Sequence, residues 1–438
     1  MPLIIVIAGI LLLIVLITLV KMDTFLSFVI VSIAIGIAEG MDMQAIIRSV
    51  ETGIGSTLGS LVIILGFGAM LGKLVAESGA AQRISGKLIS VFGRKNIQWA
   101  MMITGFIVGI PMFYNVGFVI LVPLIFTVSA SSGVSLLYVG IPMLASLSVT
   151  HGFLPPHPSP SAIAVMFDAN TGKTLLYGFI VAIPAILLAG PLFSKFIKNI
   201  PASPLKEFVN VKELKEEEMP GMAISVFTAL LPVILILLAT ITGFSSFKGT
   251  ITGKIFSFIG NPSVALLISV LFAIFSLGIA RGRKMKEISD MISKSVISIT
   301  MILLIIAGAG ILKQVLTDSG ISGYIGEIMS RSTLSPLFLG WLIATIIRIC
   351  VGSATVAGLT AAGIVLPSLA MGNVNRELMV LAIGAGSLMF SHVNDTGFWM
   401  FKEYFNMSIK NTLKTWTVME TIVGTTGLFG VLVLDKMI

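Results

Sequence analysis

Apolar residues along this chain come in long blocks, neither in the strict alternation of a half-buried strand nor in the narrow stripe of a surface helix. Near-continuous apolar runs cover about 3–20, 24–38, 54–76, 98–130, 137–167 and 175–197; past a hydrophilic stretch they resume at about 222–243, 254–280, 296–317, 335–370, 377–405 and 412–434. A hydrocarbon core of about 30 Å asks for about 20 apolar residues per spanning helix, and most of these runs reach that length. The pattern therefore predicts an all-α polytopic membrane protein. The run at 3–20 has neither a basic leading segment nor a small-residue cleavage site, so it reads as a retained span.

Four of the runs are interrupted by residues that a helix in lipid cannot carry without help. "GIPMFYNVGF" at 109–118 and "RICVGSATVAG" at 348–358 place Gly, Pro and polar residues in the middle of long apolar stretches. They predict re-entrant hairpins over about 98–130 and 335–370. "HGFLPPHPSP" at 151–160 and "FSHVNDTGFW" at 390–399 predict unwound segments over about 148–160 and 390–397, and together they hold all three histidines of the chain. At membrane depth such backbone persists only where it is buried or lines a wet cavity, so the breaks mark a site.

The breaks recur. "ESG" at 77–79 corresponds to "DSG" at 318–320, and His392 follows His151 by the same 241 residues (392 − 151). The chain thus divides into a first repeat, 1–197, a linker, 198–221, and a second repeat, 222–438, each with about five transmembrane helices, one hairpin and one broken helix. With the N-terminus outside, the segments rich in Lys and Arg at 77–97, 195–221, 281–294 and 402–414 all fall in the cytoplasm. That arrangement makes the repeats inverted and the linker 198–221 cytoplasmic, which is the plan of secondary transporters with paired broken helices at the midplane.

Composition agrees with a lipid environment: 56% of residues are hydrophobic, 11% are charged, and the mean hydropathy is +1.06. The net charge of +8 is spent on loop residues that orient the chain, so it argues for lipid and against nucleic acid as a partner. Cys350 is the single cysteine and forms no framework. Soluble-enzyme motifs fail: "GFGAMLGKL" at 66–74 has Leu74 where a phosphate loop needs Ser or Thr, and "GAGSL" at 384–388 lacks the last Gly of a nucleophile elbow. No metal helix, no cofactor motif and no ATP-driven machinery is encoded, so an enzyme is not expected.

"HGFLPPHPSPSAIA" and "SHVNDTGFWMFKEYFNMSIKNTLKTWTVMET" closely resemble the signatures of the gluconate permease (GntP) family, and the resemblance runs from end to end. It implies a proton symporter for gluconate-like monocarboxylates in the inner membrane, within the wider ion transporter superfamily. Relatives also carry related hexonates or D-serine, and related carriers imply a homodimer. Another small hydroxylated carboxylate is the alternative substrate, and an anion channel the alternative mechanism.

The residues suit such a ligand on their own terms. A polyhydroxylated carboxylate needs donors for its charge and neutral partners for its hydroxyls. The broken segments offer Tyr114 and Asn115, Thr150, His151 and Gly152, Gly352, Ser353 and Thr355, and Ser391, His392, Asn394 and Thr396. Arg348 reads as a fixed counter-charge or as a snorkelling residue, and His157 as a brace of the proline loop. Asp395, His151 and His392 are the expected proton-coupling residues, since ionisable groups at this depth persist mainly where they pair or serve a pathway. Asp395 also reads as an N-cap for the helix that resumes at Gly397.

Overall fold

The computed structural model of the chain describes residues 2–204, 214–244, 250–321, 334–371, 374–393 and 395–438. Among the described residues every regular element is helical. Six helices are long and apolar enough to cross a bilayer, or seven if the bent pair Met43–Gly59 and Leu61–Glu77 counts as one span. That pair bends by 42° at a Gly-Ser step, where kinks concentrate because little side-chain bulk supports the ladder. Polar caps begin several helices: Asp23 accepts from the Leu26 N–H at 3.0 Å, Asp42 from Gln44 at 2.9 Å, and Asn375 from Leu378 at 3.0 Å.

The element order recurs along the chain. Helix Met43–Glu77 and helix Met285–Asp318 both end in Ser-Gly, with Gly79 and Gly320 left-handed at φ 81° and 79°. After each comes a helical hairpin, Ile97–Gly109 with Tyr114–Ser132 in the first half and Pro336–Val351 with Ala354–Met371 in the second. The first arms, 13 and 16 residues, rise only about 20 and 24 Å at 1.5 Å per residue and cannot cross a core of about 30 Å. Each hairpin leads into a broken helix: Leu136–Phe153 with Pro158–Met166, and Arg376–Gly386 with Thr396–Tyr404.

The two long helices pack on each other antiparallel. Ser49, near the start of one, donates to Asp318 Oδ2 at the end of the other at 2.6 Å. At Gly53 the backbones meet so closely that an added Cβ would stand 2.6 Å from the Gly310 carbonyl oxygen. The two helices therefore run in opposite directions.

Both breaks have boundaries set by local chemistry. The first is confined to 154–157, shorter than the expected 148–160, so Thr150, His151 and Gly152 lie in the last turn of Leu136–Phe153. Proline acts on its own nitrogen and on the residue before it. Pro155 pushes Leu154 into extended backbone, whereas Pro158 and Pro160 fall in the first turn of the next helix, where a missing N–H costs nothing. The Pro155-Pro156 bond is cis. Among the described residues the second break covers 387–393 and Asp395, and Thr396 already belongs to the resuming helix. Residues 154–157 are all buried, so the first break lies inside protein and away from lipid. By contrast Ile180, Ile183, Leu188, Leu192 and Phe196 form an exposed apolar stripe along one outer helix.

The end of the linker is docked by arginines from both halves. Arg83 donates to the Pro220 carbonyl at 2.9 Å and pairs with Glu216 at 2.8 Å, while Arg281 donates to the Glu217 carbonyl at 2.9 Å.

Candidate functional site

A cavity of about 430 Å³ lies where the two hairpin tips and the two broken helices converge. Phe113 and Tyr114 come from the first tip, and Gly352, Ser353, Ala354 and Thr355 from the second. Ser148, His151 and Pro158 border it from the first broken helix, and Leu388, Asp395, Thr396 and Gly397 from the second; Ile305, Trp416 and Glu420 complete the wall with Arg348. Helices Tyr114–Ser132, Pro158–Met166, Ala354–Met371 and Thr396–Tyr404 all begin at this wall. Their N-terminal ends carry partial positive charge toward the same space, a field that favours an anion.

The second tip turns on Gly352, left-handed at φ 79°, whose N–H bonds back to the Arg348 carbonyl at 2.9 Å. A side chain there would cost about 1–2 kcal/mol in backbone sterics alone. This turn reverses the chain so that Ser353 and Thr355 face the space that Arg348, one turn earlier, also borders.

Arg348 is 3% exposed and its Nη2 pairs with Asp395 Oδ2 at 2.5 Å. Its Nε and Nη1 are buried without a partner among the described residues, as are Tyr114 Oη and His151 Nδ1. Buried donors are rarely left unsatisfied in proteins, so this group is equipped to hold a ligand's acceptors. Asp395 has two tasks at once. Its Oδ1 caps helix Thr396–Tyr404 by accepting from the Gly397 N–H at 3.0 Å, and its Oδ2 also accepts from Ser391 Oγ. Trp416 Nε1 donates to that same Ser391 oxygen at 2.7 Å. Arg348 is thus a cation held in place by a network, and the snorkelling reading does not apply.

Not every expected residue faces the cavity. His392 turns outward and its Nε2 bonds the Ile349 carbonyl at 3.0 Å, tying the second break to the hairpin arm. Ser391 lies behind Asp395 and acts on it through the hydrogen bond just described. Thr150 points to the first hairpin: its hydroxyl donates to the Leu147 carbonyl at 2.9 Å and lies against Gly109, because only residues three or four apart share a helix face with Ser148 and His151. Gly152 is a packing residue, placed where the broken helices cross and its carbonyl lies against Gly384. Asn115 is the second residue of helix Tyr114–Ser132. Asn394 lies outside the described residues. His157, 2% exposed, packs edge-on against His151.

Glu420, Trp416 and Phe113 line the cavity without having been expected there. Trp416 sits in a π-helical turn, Leu413–Thr417, whose wider winding offers no sequence signature. Glu420 did carry a signal: it is an acid in an otherwise apolar spanning helix, Val418–Asp435.

An apolar helical bundle that spans the bilayer several times and encloses a polar cavity with unpaired donors defines a membrane transport protein. The chain belongs to the GntP family of permeases, whose pattern matches residues 1–438. It is 52% identical over 438 residues to the Gnt-II system L-idonate transporter of Escherichia coli K12, and 50% identical over 438 residues to a high-affinity gluconate transporter of the same organism, covering 100% of each chain in both cases. The fold also matches the YdaH transporter of Alcanivorax borkumensis with a TM-score of 0.65 at 16% identity, covering 94% of this chain and 96% of that one.

Proposed function

We propose that this chain imports gluconate or a related sugar acid across the inner membrane by proton symport, through two inverted repeats that alternate access to the cavity. The N-terminus is outside, the linker 198–221 is cytoplasmic, and the working unit is a homodimer. Arg348 carries the proposal: its Nε and Nη1 are buried without a partner among the described residues and the guanidinium is fixed by Asp395, which is the donor geometry a carboxylate accepts from. A charge-assisted bond of this kind contributes about 1.5–3 kcal/mol. Ser353, Thr355, Thr396, Tyr114 and His151 are the neutral groups within reach of the ligand's hydroxyls. The volume of about 430 Å³ falls in the range of small-molecule pockets. The relatives named for L-idonate and gluconate both handle six-carbon polyhydroxy carboxylates, which supports that class here.

The test is uptake of labelled gluconate, L-idonate and D-serine into vesicles with an imposed pH gradient. Accumulation of either sugar acid, abolished by a protonophore, is the expected result. Uptake indifferent to the protonophore would remove the symport mechanism, and preference for D-serine would remove the substrate class.

A further inference from the structure

The charge balance of the cavity points to a group that the expected proton-coupling set omits. Among the described residues, three charged side chains border the cavity: Arg348, Asp395 and Glu420. The first two neutralise each other across 2.5 Å. Glu420 is 2% exposed, accepts from Ser148 Oγ through Oε2 at 2.8 Å, and has no cation within ion-pair distance among the described residues. Of the other groups facing the same space, Tyr114 and His151 carry no fixed charge. The wall therefore sums to −1 with Glu420 ionised and to zero with Glu420 protonated.

We propose that Glu420 is the residue on which the co-transported proton crosses the membrane. The inference rests on the symport reading and names its proton site. With the proton on Glu420, the wall is neutral, the four helix N-termini face the cavity, and an anion can dock on the free nitrogens of Arg348. With the proton gone, the Glu420 carboxylate repels the substrate within one small cavity of low dielectric. Substrate and proton therefore favour each other's binding, and by linkage the coupling is reciprocal. His392 cannot serve, because it lies outside the cavity wall, and the Asp395 carboxylate already has a cation and a helix to hold.

The experiment measures gluconate binding to the purified full-length protein at acidic and alkaline pH, beside pH-gradient uptake and counterflow in vesicles. Wild-type affinity is expected to weaken about 10-fold or more as pH rises, within the usual span of coupling factors. Glu420→Gln, which mimics the protonated form, should bind with nearly the same affinity at both pH values, and its vesicles should exchange gluconate in counterflow without accumulating it. Glu420→Asp should restore part of the pH dependence. Wild-type accumulation accompanied by equal accumulation in Glu420→Gln overturns the role of Glu420 alone. Loss of Glu420→Gln binding at every pH also overturns it, making Glu420 a ligand-holding group. Wild-type exchange without any pH-driven accumulation overturns the symport reading and the proton site with it.

Discussion

The two broken helices occupy the same place in their halves and border the same cavity, yet they contribute different chemistry. The break at 154–157 is braced by prolines and offers only neutral groups, with His151 at the wall and His157 buried behind it. The break ending at Asp395 holds an ion pair reaching to Arg348, 47 residues away, and a relay from Trp416 through Ser391. Two breaks that border one cavity therefore do not share one role. The second half fixes charge, and the first shapes the space around it.

The sharpest way to break this division is to remove the fixed cation. Arg348→Met strands a carboxylate that is only 15% exposed and takes away the free donors, a loss of about 3–5 kcal/mol for a buried pair. Uptake at subsaturating gluconate should fall about 100-fold or more, with membrane abundance measured alongside to separate transport from insertion. Arg348→Lys should recover only part, since an ammonium cannot satisfy Asp395 and a ligand in one plane. Near-normal uptake in Arg348→Met would place the anion site elsewhere.

Gly352→Ala asks whether the turn that presents Arg348, Ser353 and Thr355 to one space matters as much as the charge. At φ 79° the added methyl costs about 1–2 kcal/mol, so uptake should drop about 5- to 30-fold with little change in expression. An unaffected variant would mean that the tip relaxes without moving the donors.

The sequence made the breaks legible and the pairing illegible for the same reason. Proline and glycine act on their own backbone, so the hairpin tips and both interruptions are visible in the order of residues, whereas the packing of Met43–Glu77 on Met285–Asp318 is not. Direction of a side chain is a tertiary property. His392 sits in the polar second break but follows the turn outward to Ile349, whereas Glu420, inside an apolar helix, faces the cavity. The cation that pairs with the Asp395 carboxylate sits on another element, 47 residues earlier in the chain.

Asp395 separates the two tasks that the second break combines. Asparagine is as good an N-cap as aspartate, so Asp395→Asn should keep helix Thr396–Tyr404 in place, whereas Asp395→Ala loses about 1 kcal/mol of cap. With the pair broken, Arg348 keeps its positive charge and no longer shares it with Asp395, so the substrate carboxylate can take both sides of the guanidinium. Asp395→Asn should then lower uptake less than 10-fold and retain pH-driven accumulation, while Asp395→Ala loses more. If Asp395→Asn exchanges substrate but no longer accumulates it, the proton travels on Asp395 and the charge assignment of the cavity must be redrawn.

The smallest effect is expected on the neutral side. His151 borders the cavity beside Tyr114, their rings 5.8 Å apart, and its Nδ1 is among the unpaired buried atoms there. Glutamine keeps a donor and an acceptor at similar reach but loses the ring contact, which is worth about 0.5–1.5 kcal/mol between aromatic faces. His151→Gln should therefore raise the substrate concentration for half-maximal uptake about 2- to 10-fold and leave both the maximal rate and the response to a protonophore in place. The two-sided division predicts that pattern specifically: a group that shapes the pocket changes affinity, and a group that carries the proton changes coupling. Loss of accumulation in His151→Gln, with counterflow intact, would move proton transfer to the first half and end the distinction between a neutral and a charged break.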